Sequence, residues 1–341
     1  MSTALTGIRP TGGLTVANYV GAMRPMVELQ DTFPGPVNVF VADLHALTDQ
    51  EPGVVAENRL DTVRSYLAAG IDPSRTSLYL QSQIGRPTVE LASLLDRHYS
   101  LAELMRVPTL KDKLREKSTS STEEDSLVAT ASVALARYPI LMAADILIAG
   151  ADHVPVGADQ IPHIEITRTL ARRFNTAYGA GETVLIEPDL TVVEGIKIAA
   201  LNGDPKMSKS KPNGAIFLND SPDAVAGKIK RAQTAAAGEM TTALESHFLL
   251  AERLAGTQEE RDRLRDLRSA HMDGQPVMGP FKRLFTEVTV DFLRGYQARY
   301  GDIADADVKH TLTRGGESAS EKAEEVMGRV YAALGLVSVL S

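Results

Sequence analysis

Short runs of β-branched and aromatic residues alternate with longer segments of helical periodicity through the first part of the chain. The clearest runs are Val37–Ala42 (VNVFVA), Thr76–Leu80 (TSLYL) and Thr183–Ile186 (TVLI), each bounded by Gly, Pro or polar residues, as strands usually are. Val54–Ala69 follows a Pro-Gly pair, has apolar residues at helical spacing and ends before Gly70, which predicts a helix. This alternation predicts a parallel sheet with crossover helices.

Helical patterns replace the strand patterns from about Ser221 onward. The predicted helices are Pro222–Thr234, Thr241–Leu254, Gln258–Ala270, Pro280–Tyr300, Ala306–Thr313 and Ser318–Leu334. The change predicts an α/β domain over residues 1–218 and an all-helical domain over residues 219–341. Within the α/β part, Asp112–Asp125 (DKLREKSTSSTEED) is polar and aperiodic, which predicts a mobile loop, either a solvated linker or a substrate-sensing lid.

Charge and residue usage narrow the class of protein. Lys and Arg number 36 against 44 Asp and Glu, a net charge of −8, so any contact with nucleic acid must use local patches. There is no cysteine, and the His, Asp and Glu residues lack metal-ligand spacing, so we predict no protein-held metal site. With neither a signal-peptide pattern nor an apolar run of membrane-spanning length, the sequence predicts a cytoplasmic protein without membrane contact.

Two segments have features suited to a nucleotide. Lys206–Ser210 (KMSKS) places two lysines three residues apart between the two predicted domains. It is either a solvated loop or a pair of mobile charges that follow a triphosphate as pyrophosphate departs. In Ala4–Gly21 (ALTGIRPTGGLTVANYVG), a first strand leads through a Gly-rich turn into a helix. Such a turn lets the backbone approach a nucleotide, and the helix directs its N–H groups at phosphate.

Two further segments place carboxylates where a ligand would use them. Tyr138–Leu147 (YPILMAADIL) puts Asp145 among apolar residues on one helical face. Because burying an unpaired carboxylate costs several kcal/mol, Asp145 either caps a helix, meets a cation or accepts a ligand donor. Val154–Thr169 (VPVGADQIPHIEITRT) runs from an extended pair through Gly157 into a helix. Asp159 near its start either caps that helix or accepts a ribose hydroxyl.

These four segments together resemble the bacterial tryptophanyl-tRNA synthetases, a class I aminoacyl-tRNA synthetase family. Lys206–Ser210 is the second class I signature, and Ala4–Gly21 is similar to S/T-G-I-x-P-S/T-G-x-x-T-I-G-N-Y-x-G-A. Tyr138–Leu147 resembles Y-P-x-L-M-A-A-D-I-L, and Val154–Thr169 resembles V-P-V-G-x-D-Q-x-x-H-I-E-x-T-R. The resemblance implies a Rossmann-like doubly wound parallel sheet with a helical insertion at about residues 90–150, and a C-terminal helical domain that binds the anticodon.

The resemblance also implies a role for each matching residue. The residues implied at ATP are Arg9, Pro10, Thr11, Ala17, Asn18, Gly157, Asp159, Ile198, Lys206, Met207, Ser208, Lys209 and Ser210. Those implied at tryptophan are Leu5, His45, Tyr138, Met142, Asp145, Val154, Val156 and Gln160, with Asp145 accepting the indole N–H. Lys206, Lys209, Thr15 and Asn18, together with Mg²⁺, would stabilise the charge that builds on the ATP phosphates.

The function implied is activation of L-tryptophan with ATP and its transfer to tRNA(Trp) by a homodimer; tyrosine fits the residue pattern less well. Two departures from the family pattern stand out. Ala17 replaces the usual Gly near the adenine, and Arg9 replaces the usual Gln. The charge of Arg9 would reach a carboxylate or a phosphate, or be solvated. Two alternatives remain: a paralogue that delivers tryptophanyl adenylate to an acceptor other than tRNA, and a non-catalytic regulator that binds tryptophan.

Overall fold

The computed structural model describes residues 2–10, 12–117, 132–192 and 196–336, without the side chains of residues 113–117. In that part of the chain, one sheet contains five parallel strands: β1 (Ala4–Ile8), β2 (Val37–Val41), β3 (Thr76–Leu80), β4 (His153–Val156) and β5 (Asp189–Val192). Their order across the sheet is β3-β2-β1-β4-β5. The order changes direction between β1 and β4, as in doubly wound nucleotide-binding folds, so the predicted fold class is confirmed.

Helices connect the strands and make up most of the rest of the described residues. They are, in chain order, α1 (Val16–Asn18), α2 (Arg24–Thr32), α3 (Asp43–Ala46), α4 (Pro52–Ala69), α5 (Gly85–Leu95), α6 (Leu101–Leu104), α7 (Pro108–Lys117), α8 (Val133–Ile148), α9 (Ile161–Tyr178), α10 (Pro222–Lys230), α11 (Thr242–Leu254), α12 (Gln258–Met272), α13 (Met278–Asp302) and α14 (Asp305–Leu334). Among the described residues, no helix has both the length and the apolar character that a bilayer span requires.

Strands β1 and β4 separate toward their carboxyl ends. β1 pairs with β2 along its whole length, from Ala4 opposite Val37 to Ile8 opposite Val41. Its ladder with β4 contains a single pair, Ala4 opposite His153. A gap therefore opens between β1 and β4 where the strand order changes direction, and this is where doubly wound sheets bind their ligands.

The turn that follows β1 depends on glycine. Gly12 and Gly13 have φ angles of +65° and +38°, a left-handed conformation that residues with a Cβ adopt rarely. The turn ends at Thr15, which caps α1. The Oγ1 of Thr15 accepts the backbone N–H of Asn18 at 3.3 Å, and the Oδ1 of Asn18 accepts the backbone N–H of Thr15 at 2.9 Å. This reciprocal capping box fixes the direction in which α1 leaves the turn.

The predicted strand Thr183–Ile186 is wrong, because this segment belongs to no strand ladder. The side chain of Asn175 in α9 satisfies its backbone instead. The Oδ1 of Asn175 accepts the N–H groups of Val184 and Leu185 at 3.1 and 2.9 Å, and its Nδ2 donates to the carbonyl oxygen of Leu185 at 2.8 Å. The apolar run is buried as a loop against α9, and the fifth strand follows it at Asp189–Val192.

The predicted loop Asp112–Asp125 is wrong in its first part. Residues 112–117 belong to α7, which begins at Pro108 and is anchored by the fully buried Leu110. Lys, Arg, Leu and Glu are good helix formers, so a polar sequence continues the helix without an apolar stripe of its own. Residues 118–125 lie outside the described part of the chain.

The two predicted helices Ala306–Thr313 and Ser318–Leu334 form one helix, α14, which continues through Gly315 and Gly316. These glycines allow close packing on the sheet. A Cβ on Gly315 would lie 2.1 Å from the carbonyl oxygen of Leu78 in β3. Gly-Gly is a common helix breaker, but tertiary contact outweighs that preference here.

The helical part shares a core with the sheet. Phe248 of α11 and Phe281 of α13 stack with their ring centroids 3.9 Å apart, and they belong to the same buried cluster as Val39 of β2 and Leu78 of β3. Through α14, the chain also returns to pack on β3. The division at residues 218 and 219 stays a prediction.

Candidate active site

A cavity of about 360 Å³ lies between the carboxyl-terminal ends of β1 and β4. Its lining is mostly apolar with a few polar groups, which is typical of small-molecule sites. The lining residues are Leu5, Thr6, Gly7, Ile8, Arg9, Phe40, Ala42, His45, Met142, Asp145, Ile146, Val154, Pro155, Val156, Gly157 and Gln160. Seven of the eight residues predicted to bind tryptophan are in this lining, and Tyr138 is the exception.

Asp145 is the buried carboxylate of the cavity. It lies in α8 with 5% of its surface exposed, and its Oδ1 accepts a hydrogen bond from the Nε2 of Gln81 at 2.6 Å. Burial raises the pKa of Asp145 from its ordinary value of 3.8 to about 8. The hydrogen bond from Gln81 opposes this rise, and the negative charge of the nearby Asp43 adds to it. The group therefore changes its charge near neutral pH.

Asp43 and Gln81, the two side chains that act on the charge of Asp145, follow the carboxyl ends of β2 and β3. Asp43 follows β2 and is 3% exposed, and its carboxylate accepts the backbone N–H of Ser82 at 2.9 Å and the hydroxyl of Ser82 at 2.5 Å. Gln81 and Ser82 follow β3 directly. The sequence prediction omitted Asp43, Gln81 and the cavity residue Phe40. Asp43 and Gln81 directly follow predicted parallel strands, and that position would have indicated both of them.

Tyr138 lies behind His45. Their rings meet edge to face with centroids 5.7 Å apart, and the Tyr138 hydroxyl donates to the Oγ1 of Thr109 at 3.1 Å. The Nε2 of His163 lies 2.9 Å from the same Thr109 hydroxyl. Tyr138 thus supports the wall that His45 lines, and its predicted contact with the amino group of tryptophan stays a prediction.

Arg9 lies at the end of β1 and pairs with a carboxylate, the first of the three possibilities that the sequence left open. Its Nη1 donates to the Oδ2 of Asp49 at 3.1 Å, and its Nη2 donates to the Oδ1. A bidentate pair of this kind fixes the plane of the guanidinium group. Arg9 therefore presents an oriented positive charge at the cavity.

The loop Lys206–Ser210 reaches the turn after β1. The ammonium group of Lys209 donates to the backbone carbonyl oxygen of Gly12. The backbone N–H of Met207 donates to the carbonyl oxygen of Ile198 at 2.8 Å, which anchors the loop at a buried residue. Partial burial lowers the pKa of Lys209. The lysine loop and the Gly-rich turn, predicted separately to face ATP, are therefore neighbours.

The remaining predicted ATP residues within the described ranges lie in the lysine loop, directly after β4, and in the turn and helix that follow β1. Ser208 and Ser210 pair through their hydroxyl groups at 2.9 Å, and Lys206 is exposed. Gly157 and Asp159 follow β4, where the Oδ2 of Asp159 accepts the Nε2 of Gln160 at 2.7 Å. Pro10 is buried, Ala17 packs against the core, and Thr11 lies outside the described residues. The roles of these residues at ATP stay predictions.

The described ranges contain no group of three or more His, Cys, Asp or Glu side chains that could hold a metal ion. The site therefore consists of an apolar cavity with a buried carboxylate, a Gly-rich turn and a two-lysine loop at the switch point of a doubly wound sheet. These features define a class I aminoacyl-tRNA synthetase, and residues 1–291 match the family model of tRNA synthetases class I (W and Y).

Curated relatives specify the branch of that family. Tryptophan–tRNA ligase of Caldanaerobacter subterraneus is 35% identical over 346 residues, covering 99% of this chain and 99% of that enzyme. Tryptophan–tRNA ligase of Helicobacter pylori is 34% identical, covering 95% of this chain and 98% of that enzyme. The crystal structure of tryptophanyl-tRNA synthetase from Campylobacter jejuni, complexed with ADP and tryptophan, matches 98% of this chain and 100% of its own, with a TM-score of 0.81 and 28% identity. The chain belongs to the tryptophan–tRNA ligase family.

Proposed function

We propose that this chain activates L-tryptophan with ATP and transfers it to tRNA(Trp). The main support is Asp145, a buried carboxylate in a mostly apolar cavity of suitable size, with Met142, Val154 and Val156 lining the same cavity. An indole ring needs apolar contact on its faces and one acceptor for its N–H. A cavity that leaves its acceptor unpaired disfavours phenylalanine by roughly four to five orders of magnitude.

In the proposed first step, a carboxylate oxygen of tryptophan attacks the α-phosphorus of ATP. A new oxygen–phosphorus bond forms, and the bond from the α-phosphorus to the bridging oxygen of the β-phosphate breaks, so pyrophosphate leaves on the opposite side. No side chain acts as a covalent nucleophile. Lys206 and Lys209 stabilise the charge on pyrophosphate, while Thr15 and Asn18 present polar groups at the start of α1. A terminal ribose hydroxyl of tRNA then attacks the adenylate carbonyl, and AMP leaves.

ATP and Mg²⁺ are the proposed cosubstrate and cofactor. The ligands of the Campylobacter structure, ADP and tryptophan, support a nucleotide site beside an amino-acid site. Mg²⁺ commonly enters such sites bound to substrate phosphates and keeps several of its waters, so a protein cage is unnecessary. When bound, the ion would add positive charge beside the phosphates that Lys206 and Lys209 face.

The test is ATP–pyrophosphate exchange with each standard amino acid in turn, followed by aminoacylation of purified tRNA(Trp). Exchange with tryptophan alone and transfer to tRNA(Trp) are the expected results. Pyrophosphate exchange without transfer to tRNA would instead support a paralogue that delivers tryptophanyl adenylate to another acceptor. Tryptophan binding without exchange would support a non-catalytic regulator. Either result refutes the proposed ligase.

We also propose that the protein acts as a homodimer in the cytoplasm, as the family resemblance implies. Light scattering coupled to size-exclusion chromatography measures the oligomeric state. A mass twice that of the 36.7 kDa chain is expected, and a monomer that is fully active contradicts it.

A further inference from the structure

Gln81 bridges two parts of the candidate site from a fully enclosed position. It begins the short 3₁₀ turn Gln81–Ile84 after β3 and is 1% exposed. Its Oε1 accepts the backbone N–H of His45 at 2.8 Å, and its Nε2 donates to the Oδ1 of Asp145 at 2.6 Å. One side chain therefore joins the end of β3 to α3 and α8.

The orientation of this amide follows from its partners. The backbone N–H of His45 can only donate, so it must meet the oxygen of the amide. The NH₂ group then points to Asp145, where a reversed amide would place oxygen against a carboxylate oxygen. Gln81 therefore takes one of the two acceptor positions of Oδ1 of Asp145, whereas Oδ2 accepts no hydrogen bond from the described residues and has both positions available to a ligand.

The hydrogen-bond donor to Asp145 is the uncharged amide of Gln81. A lysine or arginine in place of Gln81 would neutralise Asp145 and compete with a ligand for it. A neutral amide orients the carboxylate and leaves its charge for the ligand donor. Among the described residues, Gln81 is the one side chain that donates a hydrogen bond to Asp145.

We propose that Gln81 is a positioning residue for amino-acid specificity, which holds Asp145 with one oxygen directed at the indole N–H. This inference rests on the proposed tryptophan activity. It predicts that Gln81 contributes to binding only when the ligand carries a ring N–H.

The test compares Gln81→Met with the parent in ATP–pyrophosphate exchange. A hydrogen bond to a charged group is worth enough to raise the KM for tryptophan by about 10- to 100-fold, with kcat and the KM for ATP changed less than about threefold. Gln83→Met is the matched control. Gln83 lies in the same turn, but its amide donates to the backbone carbonyl of Leu312 at 2.8 Å and accepts the backbone N–H of Leu80 at 2.9 Å, so it makes no hydrogen bond to Asp145. We expect its KM for tryptophan to equal that of the parent.

A second measurement separates positioning from general damage. The analogue is an alanine derivative whose indole is replaced by benzothiophene, which keeps the ring shape and lacks the N–H. The ratio of kcat/KM for tryptophan over this analogue is independent of the folded fraction, and we expect it to fall about 10- to 100-fold in Gln81→Met. Gln81→Leu provides the same comparison if Gln81→Met does not fold.

An unchanged ratio in the variants, or a loss of kcat at constant KM for tryptophan, overturns the role of Gln81. Failure of the parent itself to exchange pyrophosphate with tryptophan would instead refute the proposed function. The two failures are therefore distinguishable in one set of assays.

Discussion

Tryptophan affinity should depend on pH through Asp145. Burial raises the pKa of this group to about 8. Because Oδ1 accepts from Gln81, a proton on Asp145 occupies Oδ2, the oxygen left for the indole N–H. The protonated form then places a donor against a donor, so only the ionised form binds tryptophan well.

The size of the effect follows from the ionised fraction. With a pKa of about 8 in the free protein, that fraction is about one tenth at pH 7 and about one hundredth at pH 6. The apparent Kd is the intrinsic Kd divided by the competent fraction. Affinity should therefore be highest above pH 8, fall about fivefold from pH 8 to pH 7 and about tenfold over the next pH unit, or roughly 50-fold between pH 8 and pH 6.

Fluorescence gives a direct assay, because the chain contains no tryptophan. Excitation at the red edge of the indole band reports only the ligand, whose emission changes when the ring enters the apolar cavity. Free tryptophan keeps its charges across this pH range, so the slope belongs to the protein. The control is Asp145→Asn, which should bind weakly and with a flat pH profile. A parent Kd that varies by less than about threefold between pH 6 and pH 8 refutes the reasoning.

Three further predictions concern the lysine loop, the buried carboxylate and α14. Lys209→Ala should lower kcat/KM for pyrophosphate exchange by about 100- to 1,000-fold with an unchanged Tm, because a charge beside the departing phosphates is lost. In urea titrations, the free energy of unfolding of Asp145→Asn minus that of the parent should be about 3–4 kcal/mol larger at pH 8 than at pH 5. Gly315→Ala should lower that free energy by about 1–3 kcal/mol, since its Cβ would lie 2.1 Å from the Leu78 carbonyl oxygen, whereas Gly328→Ala in open space should raise it by about 0.5–1 kcal/mol.

The sign for Asp145 follows from its raised pKa. In the unfolded chain the group ionises near 3.8, and in the folded protein near 8. The stability associated with its protonated form is fully present below about pH 4 and is lost as the pH rises to about 8. An asparagine does not titrate, so the free energy of unfolding of Asp145→Asn rises relative to that of the parent over that range. If the difference in free energy of unfolding between Asp145→Asn and the parent is the same at pH 5 and pH 8, this account is wrong. A Gly315→Ala variant as stable as the parent contradicts the packing argument for α14. A Lys209→Ala variant with full exchange activity contradicts the role of the lysine loop.

Sequence patterns predicted the elements whose own residues specify them. Val37–Val41 and Thr76–Leu80 form strands as expected, because β-branched and aromatic residues suit a buried parallel sheet. The helix after Pro52 ends at Gly70, which adopts the left-handed conformation that stops it. Local patterns failed where a side chain outside the segment outweighed them, as at Thr183–Ile186, whose backbone pairs with the side chain of Asn175.

By itself the sequence specified the fold class, the family and the residue types at the cavity, since these depend on motifs contiguous in the chain. Tertiary structure decided how those motifs meet: the gap between β1 and β4, the Lys209 bond to Gly12, and the Gln81 amide on Asp145. A contact between residues 64 positions apart leaves no periodicity in the chain. The raised pKa of Asp145 has the same origin, because it depends on the whole shell of residues that excludes water from the carboxylate.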